Sequence, residues 1–115
     1  MLKVAALEAL RNPHQVRILL LLRTEGALRF NQIQRRLGLN PAQVDRALHT
    51  LHLGGWIVAT TLPDEATKRG MPVEYSLMWT GRDLVAAFDR FVTTYRKRSG
   101  RLSPNAAALE ALYAA

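Results

Sequence analysis

Apolar residues recur along this 115-residue chain in two periods, and the change from one to the other marks its elements. Spacing of i, i+3, i+4, i+7 predicts amphipathic helices, and strict alternation predicts a half-buried strand. Helical spacing first appears in the segment Leu2–Leu10, with Leu2, Ala6, Leu7 and Leu10 facing inward. A second helix runs from Pro13 and stops at Gly26. Val16, Leu19 and Leu20 form its stripe, while Ile18, Leu21 and Leu22 make it apolar nearly all round, so it is buried on more than one side. Ala27–Arg29 fits a very short strand. Two short helices follow, Phe30–Leu37 with Phe30, Ile33 and Leu37 inward, and Ala42–Leu53 with Val44, Ala47, Leu48 and Leu51 inward. The turn Gly38-Leu39-Asn40-Pro41 joins them. Beyond Gly54-Gly55 the period shortens to that of strands: WIVATT, a loop LPDEATKRGMP, then VEYSL with Val73, Tyr75 and Leu77 on one face. A long helix begins near Thr80, read as its N-cap with Asp83 at the capping-box position. Its stripe is Leu84, Val85, Phe88, Phe91, Val92 and Tyr95.

Asn12-Pro13, Asn40-Pro41 and Ser103-Pro104 each set a capping residue before a proline, which is a helix-start signal. The order of elements is a helix-turn-helix followed by a β-hairpin. The predicted fold class is mainly α with a small β-hairpin, a winged helix-turn-helix with extra N- and C-terminal helices. Residues 1–98 are expected to form one domain, and 99–115 an Ala-rich helical tail.

Charge sharpens this picture. Sixteen Lys and Arg face nine Asp and Glu, a formal net charge of +7, mostly from arginine. Such an excess favours a polyanionic partner. There are no cysteines, which excludes disulfides, thiolate metal sites and thiol chemistry. The longest aliphatic run, Ile18–Leu22, falls far short of the roughly 20 residues that span a bilayer. No signal-peptide pattern is present at the N-terminus, so a cytoplasmic location and no membrane association are expected.

The segments RFNQIQRRLGLNPAQVDRALHTLHLGGWI and VEYSLMWTGRDL resemble those of winged helix-turn-helix transcriptional regulators, most closely the HxlR, MarR and ArsR groups. Met78-Trp79 before Thr80 departs from the usual pattern, as does the lack of an N-terminal cysteine. The resemblance implies a homodimeric DNA-binding repressor or activator.

Removing the inward set from the second helix of the motif leaves Ala42, Gln43, Arg46, His49 and Thr50, with Asp45 at the edge. Gln and Arg suit adenine and guanine edges, and Ala or Thr can meet a thymine methyl. Arg46 is the leading candidate. Lys68 and Arg69, beside Gly70 in the hairpin loop, would meet phosphates or the minor groove. Arg35 and Arg36 close the first helix of the motif, where that helix crosses the DNA backbone; they serve equally well to complement its dipole. Any of these residues could instead be ordinary solvated surface. Surplus apolar surface at Leu7, Leu21, Leu22, Phe88, Phe91, Val92 and Tyr95 predicts a two-fold dimer, unless the Ala-rich tail covers it. His49 and His52 stand three apart but lack further ligands, so no metal site is expected. Neither a catalytic constellation nor a cofactor motif is present, so the chain reads as a non-enzyme. The expected partners are double-stranded DNA and a second copy of the chain, and the sequence names no effector. Two other readings fit the same pattern: a winged-helix protein–protein interaction module, and a non-specific architectural DNA-binding protein.

Overall fold

A computed structural model describes residues 4–61 and 73–99. Five helices and three strands follow one another as α1 (Val4–Arg11), α2 (Pro13–Glu25), β1 (Leu28–Arg29), α3 (Phe30–Leu37), α4 (Pro41–Leu53), β2 (Ile57–Thr61), β3 (Val73–Leu77) and α5 (Trp79–Ser99). The strands form one antiparallel sheet in the order β1-β3-β2, with Leu28 opposite Tyr75 and Ile57 opposite Leu77.

The helix of continuous apolar character occupies the centre. Ile18, Leu19 and Leu22 of α2 are almost wholly buried, together with Ile33 of α3, Val44 and Leu51 of α4, and Ile57 of β2. Helices α1, α3, α4 and α5 and strand β3 all pack on α2, which is why its apolar side chains must point in several directions. Leu21 and Leu22 are therefore core residues, with Leu22 only 2% exposed, and the subunit contact expected of them has no surface to use. Val92 is likewise buried. The side chain of Leu7, the residues Lys68 and Arg69, and the tail beyond Ser99 lie outside the described residues.

Local signals set the helix ends. Asn12 caps α2 by accepting from His14 N–H at 2.8 Å, and Gly26 closes it with an N–H bond to the Leu22 carbonyl at 2.8 Å. Gln15 is buried and donates its amide to the Glu8 and Ala9 carbonyls, both at 3.0 Å, satisfying the end of α1. Helix α3 ends at Gly38, which has φ +65° and donates to the Gln34 carbonyl at 2.9 Å; this left-handed position suits glycine. Asn40 and Gln43 cap α4 reciprocally. Gln43 N–H donates to Asn40 Oδ1 at 2.9 Å, and Asn40 N–H to Gln43 Oε1 at 3.1 Å.

Two details differ from the sequence pattern. Helix α5 starts at Trp79 rather than after Thr80, with Arg82 N–H donating to the Met78 carbonyl at 3.0 Å. Thr80 lies inside the helix, and its hydroxyl donates across to the Gly55 carbonyl instead of capping. This contact, with the Met78 N–H bond to the Trp56 carbonyl at 3.0 Å, anchors α5 to the hairpin base. The alternation in β3 is also blunted. Val73 to Ser76 are all half-buried and only Leu77 is buried, in a strand that has a neighbour on each edge.

Candidate nucleic-acid interface

Helix α4 divides cleanly into a buried and an exposed side. Val44, Ala47, Leu48 and Leu51 face the core, while Ala42, Arg46, His49 and Leu53 are exposed and follow one another at helical spacing on the opposite side. Arg46 Nε lies 3.4 Å from the Ala42 carbonyl, so the guanidinium is directed along the start of the helix. Thr50 donates its hydroxyl to the Arg46 carbonyl at 3.0 Å, as Ser and Thr do inside helices.

The flanks of α4 face different neighbours. Gln43, Arg46 and Thr50 border a polar cleft of about 390 Å³, opposite Asn12, His14 and Gln15 of the start of α2. Asp45, His49 and His52 border a smaller cleft of about 280 Å³ against Ala59, Val73 and Tyr75 of the hairpin. Among the described residues no group of three or more His, Asp or Glu is arranged to hold a metal ion. Of the five recognition-helix candidates, then, Ala42, Arg46 and His49 share the outward stripe, and Gln43 and Thr50 turn toward α2.

Arg35 and Arg36 separate in role. Arg36 pairs with Glu25 at the end of α2, Nε lying 3.0 and 2.9 Å from the two carboxylate oxygens and the terminal nitrogen 2.7 Å from Oε1. That hydrogen bonding holds the Glu25 carboxyl below its ordinary pKa and raises that of Arg36. Arg35 is exposed and has no ion-pair partner among the described residues. The first helix of the motif thus keeps one arginine for the fold and one for solvent or a ligand.

Arg17 has a part that the sequence pattern does not reveal. It donates to the Leu37 carbonyl at 3.1 Å and ties the end of α3 to α2 just before the turn. An arginine just before the apolar run of α2 is the only hint of this. The cluster of Asn12 and His14 beside α4 carries no sequence signal, since it brings together residues about thirty positions apart.

Residues 16–60 match the model of the IclR helix-turn-helix domain. The fold is a winged helix-turn-helix. BpsR of Bordetella bronchiseptica, described as a protein whose DNA binding is regulated by 6-hydroxynicotinic acid, superposes with TM-score 0.62 at 23% identity over 83% of this chain and 70% of its own. The transcriptional regulator Tm0710 of Thermotoga maritima gives 0.62 at 22%, over 92% and 75%. RV1404 of Mycobacterium tuberculosis gives 0.62 at 20%, over 94% and 72%. No curated protein matches the sequence. The HxlR, MarR or ArsR grouping expected from the sequence is not the one that the family model names. No described helix is long and apolar enough to cross a membrane.

Proposed function

We propose that the protein is a sequence-specific double-stranded DNA-binding transcription regulator that acts as a homodimer. Helix α4 enters the major groove and the hairpin β2–β3, with its basic loop, contacts the backbone or the minor groove. The observation that carries this reading is the exposed stripe of Ala42, Arg46 and His49 on α4. It presents an arginine able to meet guanine on a helix whose other side is fixed in the core. Two regulator-like features support the dimer: Phe91 of α5 is 56% exposed, and it stacks on Tyr95 with ring centroids 6.1 Å apart. A second α5 would cover this aromatic surface and set two copies of α4 on successive turns of the duplex.

Selection of bound sequences from a random duplex pool at physiological salt tests the proposal. Enrichment of a palindrome is the expected outcome, with Arg46→Ala weakening binding and relaxing the preference at one position of each half-site. Recovery of duplexes without enrichment would favour an architectural role instead. Leu53, 74% exposed at the end of the same stripe, is the feature that favours a protein-binding role. That role would be supported if no duplex bound at physiological salt.

A further inference from the structure

The polar cleft between α2 and α4 has a hydrogen-bonding inventory rich in donors. Asn12 and Gln43 each have the amide oxygen engaged, Asn12 Oδ1 by His14 N–H at 2.8 Å and Gln43 Oε1 by Asn40 N–H at 3.1 Å. Each side chain keeps both NH₂ donors, and its oxygen has one of two lone pairs already taken. Arg46 adds guanidinium donors. His14 adds an imidazole whose Nδ1 is buried and meets no hydrogen-bond partner among the described residues. Gln15 has its NH₂ bound to the α1 carbonyls, so its oxygen and the Thr50 hydroxyl oxygen add acceptors to the lining. No carboxylate lines the cleft. The NH₂ donors of Asn12 and Gln43 beside the guanidinium of Arg46, with no acidic group in the lining, suit an oxyanion.

We infer that this cleft seats one backbone phosphate of the bound duplex, so that Gln43, with Asn12 and His14, positions the DNA instead of reading its bases. The inference rests on the DNA-binding reading, and the position of the cleft supports it. It opens beside the outward stripe of α4, so a strand flanking the groove that α4 enters would pass over it. Arg46 belongs both to that stripe and to the lining of the cleft. Phosphate contacts of this kind fix register and orientation and carry no sequence information.

Gln43→Glu is the most discriminating variant. A glutamate at this position can still accept from Asn40 N–H, so the cap of α4 is kept and thermal melting should be unchanged. Its second oxygen replaces the NH₂ group and puts a negative charge where the phosphate would lie. With the duplex enriched by selection as probe, affinity should fall about tenfold and the salt dependence of log K should flatten by about one unit, with the same preferred sequence. His14→Ala should also weaken binding, with the same preferred sequence. In a scan of duplexes carrying one neutral methylphosphonate each, one position should weaken the wild type and leave Gln43→Glu unaffected. A changed base preference with an unchanged salt slope would make Gln43 a base reader and overturn the inference. So would unaltered affinity in both variants. Inorganic phosphate, titrated into the free protein and followed by amide NMR, separates the remaining source. Shifts at residues 12, 14, 43 and 46 with no loss of duplex affinity in the variants would assign the cleft to a free oxyanion and overturn the backbone assignment. If the wild type binds no duplex at all, the DNA-binding reading itself fails, an outcome distinct from these.

Discussion

Replacing Gly81 by alanine sets two sizeable effects against each other. Gly81 lies in the first turn of α5, and a β-carbon there would stand 2.2 Å from the Trp56 carbonyl oxygen and 3.2 Å from both its carbonyl carbon and Leu77 Cδ2. Carbon–oxygen contacts settle at about 3.3–3.6 Å, so α5 and the hairpin base must part by roughly 1 Å. The atom in the way is backbone, held in place by the Met78 N–H bond at 3.0 Å, and cannot rotate aside as a side chain would. Alanine gains about 1 kcal/mol over glycine in helix propensity. Against this stand overpacking, at about 1–3 kcal/mol, and the weakened Met78–Trp56 hydrogen bond, at about 1 kcal/mol. The net expectation is destabilisation by about 2 kcal/mol, which lowers the urea midpoint by roughly 1–2 M at the m-values of small domains. Urea unfolding followed by far-UV circular dichroism measures it. Gly38→Ala is the control: its added methyl would meet open space, and its cost of about 1–2 kcal/mol comes from the left-handed backbone alone. A Gly81→Ala midpoint at or above that of the wild type would refute the close approach of α5 to Trp56.

Other substitutions probe the remaining assignments. Leu22→Ala should cost about 3 kcal/mol by opening a cavity in the core, whereas Phe91→Ser should leave the urea midpoint of dilute protein nearly unchanged and shift sedimentation toward a monomer. The Glu25 carboxyl, held down chiefly by its hydrogen bonds from Arg36, should titrate below its ordinary value of 4.5 in a ¹³C NMR experiment. Because the folded pKa is the lowered one, the stabilisation from this pair is complete above the ordinary value and is lost as pH falls through the lowered one; Arg36→Ala should restore the ordinary titration. Arg35→Ala should weaken duplex binding and flatten its salt dependence by about one unit, and Arg36→Ala should affect the Glu25 titration more than DNA affinity, as titration of labelled duplex would reveal.

The elements were legible wherever a local signal closes them. Bounds of α3, α4 and β3 follow from Gly38, the Asn40-Pro41 pair and the alternation of Val73–Leu77, because caps and short periods depend on residues a few positions apart. The start of α5 was misread for the opposite reason. Thr80 has the chemistry of a cap, but its hydroxyl is drawn to Gly55, 25 residues away, which no local pattern encodes. The same limit applies to the interface. That Ala42, Arg46 and His49 face outward follows from periodicity, but the turn of Gln43 and Thr50 toward α2 depends on how two helices pack. Apolarity likewise could not say which side chains of α2 and α5 serve the chain itself. Leu22 and Phe91 look alike in the pattern, and only packing makes one core and the other surface.

The two sides of α4 have a further consequence. No residue of the outward set Ala42, Arg46 and His49 belongs to the buried set Val44, Ala47, Leu48 and Leu51, and neither set includes the capping pair Asn40 and Gln43. Surface helical positions of this sort tolerate replacement within about 0.5 kcal/mol. These outward positions can therefore be exchanged at little cost to the scaffold. On the proposed reading, chains with the same core and caps would address different duplexes through this stripe, and retargeting by design would start there.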